Sequence, residues 1–293
     1  MIQYLFLGRV DYDQGLRLQA EIAELRHQGR VGNVLLLLEH PPVLTLGRNA
    51  NRTNVLASDE LLARRGVILR EIDRGGDVTY HGPGQLVGYP IFDLRSLRNS
   101  DGKRMGPVDF VRRIEEALIR LCGGFGVRAG RVPGLTGVWC SAEGAPPNLP
   151  GLLPEGGVGR ERKIGAIGIH VARGITTHGF AFNVTTDLGN FALINPCGIT
   201  DRAVTSLENE LRMQKVESPE GLPSLESVAH QAARRFGMVF NEQVLAVENL
   251  EMLRAQAETA SETPPQFSAE DTPLQIPKEV ERLRHTGDRP IDA

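Results

Sequence analysis

The sequence holds only three cysteines, Cys122, Cys140 and Cys197, in 293 residues. With an odd count and no CxxC pair, neither a zinc ribbon nor a disulfide framework is expected. Lone thiols of this kind suit a reducing cytoplasm. Long hydrophobic runs are also lacking. The most notable, VLLLL at 34–38, falls far short of the roughly 20 residues that span a bilayer. Residues 1–10 have no basic stretch and no small-residue cleavage site, so no signal peptide is expected. There is no excess of one charge either. Lys plus Arg is 33 against 36 for Asp plus Glu, and the pI is near 6.2, which argues against a dedicated nucleic-acid binder.

What is abundant is glycine, 33 residues, with 18 prolines, a composition that calls for tight turns and close backbone approaches. Hydrophobic residues at 41% and charged residues at 24% match an ordinary globular chain of one or two domains. A body of this size buries roughly 75% of its unfolded surface, so its core needs no disulfide or metal.

Residues 2–7 read as a strand and 11–28 as a helix, with Leu16, Leu18, Ile22 and Leu25 as core positions and Gly29 as its stop. Residues 34–39 form an apolar strand that His40-Pro41-Pro42 ends, because proline cannot donate to a ladder. Ser58 is placed to cap a short helix closed by Gly66. Strands are expected at 67–72 and 86–92, and a helix at 107–122 ending in Gly123-Gly124. Further strands are expected as a neighbouring pair at 163–171 and 175–184. Helices are expected at 224–236 and 241–253. The proline-rich insert at 145–160 reads as a loop, and 255–293 as a polar tail, disordered or loosely docked, leaving 1–254 as one catalytic body. Strands and helices are interspersed without strict βαβ order, so the fold class is α/β in the α+β sense, a mixed β-sheet packed with helices.

Three segments carry chemistry. In residues 74–85 the glycines at 75, 76, 82 and 84 let a backbone lie against a ligand, or simply make a hairpin. No Gly-Lys-Ser/Thr closes the segment and no GxGxxG is present, so neither a Walker loop nor a dinucleotide fingerprint fits. Lys163 opens a glycine-spaced apolar strand, where it is either a solvated edge residue or an acid–base group. Cys122 and Cys140 read as packing residues, whereas Pro196 and Gly198 put Cys197 on a turn that can face a cleft.

The blocks RGGDVTYHGPGQLVGYPIFDL (74–94), KIGAIGIHV (163–171), THGFAFNV (177–184) and FALINPCGI (191–199), with HPPVLTLGR (40–48), occur in this order. Together they resemble the lipoyl(octanoyl)transferases over residues 1–250. The resemblance implies a fold of the biotin/lipoate protein-ligase type. It implies transfer of an octanoyl group from octanoyl-acyl carrier protein to a lysine of the lipoyl domains of lipoate-dependent enzymes. Cys197 matches the family nucleophile and Lys163 the lysine beside it. The acyl-binding segments match Arg74, Gly75, Gly76, Asp77, Val78, Thr79, Tyr80, His81, Ala166, Ile167, Gly168, Gly179, Phe180 and Ala181. No metal or cofactor is implied, and neither nucleic acid nor membrane is an expected partner.

The chemistry agrees with the residues. A thiolate exchanges with a thioester at little thermodynamic cost, and a neighbouring ammonium favours the thiolate. Gly76, Gly82, Gly165 and Gly168 are expected to leave an acyl tunnel open, in which an octanoyl chain would gain about 5 kcal/mol. His81 either orients the acyl group or is a satisfied structural histidine. The alternatives are an ATP-dependent lipoate or octanoate ligase, which needs no nucleophilic cysteine, a cysteine thioesterase using His178 or His81, and a non-catalytic binder of lipoyl domains.

Overall fold

The computed structural model describes residues 1–99, 101–141, 161–195, 203–216 and 221–262. In chain order the elements are β1 (Ile2–Arg9), α1 (Tyr12–His27), β2 (Asn33–Glu39), β3 (Val43–Leu46), α2 (Asp59–Arg64), β4 (Ile68–Glu71), β5 (Val78–His81) and β6 (Gln85–Ile91). There follow α3 (Pro107–Gly124), β7 (Val138–Ser141), β8 (Glu161–Ala172), β9 (Ile175–Asn183), β10 (Ala203–Val204), α4 (Leu207–Met213), α5 (Leu225–Phe240), β11 (Val244–Ala246) and α6 (Leu250–Glu262). The large sheet runs β10-β8-β9-β6-β2-β1-β11, with β7 also on β8, and a small sheet runs β4-β3-β5. Parallel and antiparallel pairs are mixed, as expected from the order of elements.

The continuous apolar run of β2 is explained by cover on both faces. Leu35 and Leu37 join the core under α3 and α5, with Leu118, Phe236 and Phe240. Val34, Leu36 and Leu38 join the opposite core under α1 and α6, with Leu18, Ile22, Leu253 and Ala257. A third cluster, including Leu44, Leu62, Tyr80 and Phe191, packs beneath the small sheet. Ser58 caps α2 by accepting from the Leu61 amide, and Gly29 follows α1 at φ 74°. Leu16 and Leu25 are only half-buried.

Within the glycine-rich segment, residues 78–81 pair with β3 as a strand. α3 ends in Gly123-Gly124 as expected, and the chain turns at Gly126. Two expectations are corrected. The helix expected at 241–253 does not form as one element. Asn241 takes a left-handed φ of 55° and ends α5, and Val244, Leu245 and Ala246 then add to β1 in parallel. The tail begins later than residue 255, since α6 continues to Glu262, buries Leu253 and Ala257, and pairs Arg254 with Glu21. The 145–160 insert and the tail beyond 262 lie outside the described residues. No helix among the described residues is long and apolar enough to cross a membrane.

Glu210 locks α4 to the edge of the large sheet. It is fully buried, and it accepts Arg162 Nε at 2.9 Å, Thr205 Oγ1 at 2.7 Å and Gln214 Nε2 at 3.0 Å. Removing the carboxylate strands a cation and a hydroxyl inside. Glu210→Ala should cost about 3 kcal/mol in urea denaturation. Arg212→Ala, which loses exposed contacts with Glu208 and Asn209, should change stability by less than about 0.5 kcal/mol.

Candidate active site

The site is a cavity of about 460 Å³ where the small sheet meets the open side of β8. Its lining follows β8 from Lys163 to Ile169, about 20 Å at 3.3 Å per residue. The floor is small. Val87 pairs with Ala181 and Ala181 with Ala166, so three strands present a low row, and Gly168 pairs with Gly179 beside it. Alternation along β6 turns Gln85, Val87 and Tyr89 to the cavity, and β9 contributes Gly179, Ala181 and Asn183. Pro107, Val108 and Val111 of α3 with Leu135 supply apolar walls.

Close backbone contact holds the glycine-rich segment on β8. The Gly75 amide donates to Ile169 O at 2.9 Å. A Cβ on Gly168 would lie 2.5 Å from Gly75 O, and one on Gly47 would lie 2.4 Å from Gly76 O. Arg74, largely buried, donates to Thr45 O and Thr45 Oγ1 at 2.9 Å each and to its neighbour Gly75 O at 3.0 Å. Asp77 accepts from the Asn51 amide and the Asn54 side chain. Asn54 O in turn accepts the Asn195 amide at 2.7 Å. The strand-like stretch that precedes Cys197 is thereby tied to the cavity rim.

His81 is oriented by a relay. Asn183 Nδ2 donates to Thr205 O, and Gln85 Nε2 donates to Asn183 Oδ1 and Tyr80 O. Gln85 Oε1 must then accept, so His81 Nδ1 carries the proton of their 2.8 Å bond. His81 stacks on Tyr12 at 6.0 Å and lies 6.1 Å from His40. His40 Nδ1 donates to Val10 O and its Nε2 accepts from Tyr89 Oη, both at 2.6 Å. Burial lowers the His81 pKa to about 3, helped by His40 and Arg74, and that of His40 to about 4. Burial likewise pushes the Tyr12 and Tyr89 hydroxyls upward, so these four groups are neutral near pH 7. His178, in a left-handed conformation at φ 55°, bonds Asp73 through Nε2 at 2.8 Å.

Lys163 stands on β8 directly across from Trp139 on β7, with Nζ 4.6 Å from the ring centroid. Arg74, Gly75, Gly76, Asp77, Val78, Thr79, His81, Ala166, Ile167, Gly168, Gly179, Phe180 and Ala181 all line the cavity with it. Tyr80 does not. Strand alternation turns it to the other side of β5, where it packs edge-on to Phe191 and accepts from Asn190. Two glycines expected to keep a tunnel open act instead through packing. A Cβ on Gly82 would strike the Tyr80 hydroxyl at 2.1 Å, and one on Gly165 would meet Leu118 at 3.3 Å. Cys197 lies outside the described residues. Cys122 and Cys140 are buried, and burial raises both thiols far above the usual range. Tyr12, Gln85, Tyr89 and Asn183 were not foreseen. Alternation at 85, 87 and 89 and at 179, 181 and 183 was the signal available for the last three.

The chain matches the lipoyl protein ligase A/B catalytic domain over residues 11–226. It is 58% identical to an octanoyltransferase of Acidobacterium capsulatum over 85% of this chain and 94% of that one. To an octanoyltransferase of Koribacter versatilis it is 48% identical over 97% of each chain. In fold it is similar to a lipoate-protein ligase A bound with ATP, with a TM-score of 0.57 at 15% identity, covering 92% of this chain and 97% of that one.

Three buried histidines, His40, His81 and His178, take up a proton less readily folded than unfolded. Between pH 6.5 and about 4 the unfolded chain binds protons that the folded chain refuses, so stability is complete above pH 6.5 and is lost as pH falls. Carboxylates with lowered values act below this window. Urea denaturation from pH 6.5 to 5 should show a fall of about 1.4 kcal/mol per pH unit for each of His40 and His81. His81→Asn should remove one histidine's share of that slope; an unchanged slope would show that His81 is not held neutral.

Proposed function

The chain belongs to the lipoyl protein ligase A/B catalytic-domain family, and from that premise we propose that it is an octanoyltransferase, an acyltransferase that moves an octanoyl group onto a lysine of a lipoyl domain. The donor is octanoyl-acyl carrier protein, and the acyl group passes through a thioester on Cys197. The observation that carries this reading is the small-floored apolar cavity with Lys163 on its wall. Burial of Cys122 and Cys140 adds support, since desolvated thiols do not supply a thiolate.

The Cys197 thiolate attacks the donor carbonyl, and the C–S bond to the carrier breaks. The departing thiolate takes a proton from the Lys163 ammonium and leaves as a thiol. The neutral lysine of the lipoyl domain then attacks the Cys197 thioester. An amide C–N bond forms, the C–S bond breaks, and the amine proton passes to Lys163 while Cys197 returns to thiolate. The ammonium matters at the outset. A thiol of pKa about 8.5 is only about 3% ionised at pH 7, and a lowering of one unit raises this to about 24%.

Incubation with octanoyl carrier protein should add one octanoyl group to the intact mass, and Cys197→Ala should carry none and transfer none. Cys122→Ala and Cys140→Ala should keep most of both. A folded Cys140→Ala without activity would contradict the assignment, and steady release of free octanoate in place of a stable adduct would favour a thioesterase.

Chain length is read from the floor. Ala181→Leu adds bulk on the row that Val87 and Ala166 share. It should displace part of an octanoyl chain, at about 0.8 kcal/mol per methylene lost from the cavity. Transfer from octanoyl carrier protein should fall about tenfold or more, while transfer from a butanoyl or hexanoyl donor falls less. Equal losses for all three donors would place the acyl chain elsewhere.

A further inference from the structure

Trp139 is the single tryptophan of the chain, and it is 1% exposed. A buried tryptophan is ordinarily a core side chain, and Val132 and Leu135 do pack against this one. Its other neighbour is a cation. Trp139 and Lys163 are partners in the antiparallel register of β7 and β8, and Nζ stands 4.6 Å from the ring centroid. That is inside the roughly 6 Å over which a ring face attracts an ammonium.

The contact is braced on three sides. Trp139 exchanges backbone bonds of 2.9 and 2.8 Å with Gly130 along its outer edge. Gly137 lies against the lysine stem at φ 121°, and a Cβ there would sit 3.2 Å from Lys163 Cε and 2.6 Å from Gly165 O. The Gly137 amide is held at 3.0 Å by Oε1 of Glu115, fully buried, whose Oε2 accepts Arg112 and Arg131. Ring and glycine both border the lysine stem, and the ring face favours the ammonium over the neutral amine.

We infer that Trp139 is a positioning residue for acyl transfer, holding the Lys163 ammonium over its ring so that the proton is presented from one fixed place. The inference rests on the role given to Lys163 above. Among the described residues, titratable or charged side chains around Lys163 include Arg74, Arg112, Asp77, His81 and His178 on the cavity wall, Glu115 behind Gly137, and Cys140, Glu161 and Arg162 on β7 and β8.

Steady-state octanoyl transfer and tryptophan fluorescence test it together. Trp139→Leu should lower kcat about tenfold with KM for the carrier protein changed less than about twofold, and Trp139→Phe, which keeps a ring face, should recover to within about threefold of the parent. Because there is one tryptophan, its emission should show an alkaline transition that Lys163→Met removes and Cys140→Ala retains. An unchanged transition in Lys163→Met, or a folded Trp139→Leu with the parent kcat, would overturn the inference. If Trp139→Leu fails to fold, Trp139→Phe and the fluorescence comparison decide it. Absence of any octanoyl adduct on the parent enzyme would count against the functional reading instead, and the fluorescence comparison would still settle the contact.

Discussion

The approach of Gly75 to the backbone of β8 is the contact on which the site depends. It joins the small sheet to the open side of the large one, and it is possible because Gly168 presents no Cβ to Gly75 O. A methyl group at Gly168 would meet backbone, which cannot swing aside as a side-chain tip can. Gly47 meets the same requirement from β3, against Gly76 O. Arg74 then spans the junction, its guanidinium bonding Thr45 on one side and Gly75 on the other. The glycines of this region are thus spent on bringing backbones together, and the cavity is the space that their meeting encloses.

Enclosure sets the electrostatics. Desolvation keeps Tyr12, His40, His81 and Tyr89 uncharged, so the deep wall offers hydrogen-bonding groups without ions. Arg74, Arg112 and Lys163 are the strongly basic residues of the lining and Asp77 its acidic one. An apolar chain entering such a space meets neutral surfaces along most of its length, with positive charge where Lys163 stands.

The elements with strong local signals were legible. The α2 cap, the β8–β9 pair, the apolar run of β2 and the burial of Cys122 and Cys140 all follow from spacing and composition. Those decided by distant partners were not. Residues 241–253 have helical periodicity, but Asn241 stops α5 and the edge of β1 captures Val244–Ala246. Nothing in the local sequence named β3 as the partner of the 78–81 stretch. At the site, the glycine-rich blocks marked the cavity, while Tyr12 and Asn183 reach it from elements remote in sequence. The face of Tyr80 depended on where β5 begins, and that boundary was hidden among the glycines.

The fold itself does not choose between ligase and transferase, because similarity at 15% identity to a lipoate-protein ligase A bound with ATP reaches only to the architecture. The choice turns on the thiols. A route through an acyl-thioester needs a cysteine that ionises, and burial disqualifies Cys122 and Cys140 from that part. The resemblance matches Cys197 to the nucleophile, and in sequence it stands two residues beyond Asn195, whose amide is bound to the loop that Asp77 anchors at the cavity rim. A ligase reading would leave that thiol without a task and Lys163 without a leaving thiolate to protonate. The transferase reading uses both, and it asks of Lys163 one further property, a fixed position, which we infer the ring across the sheet supplies.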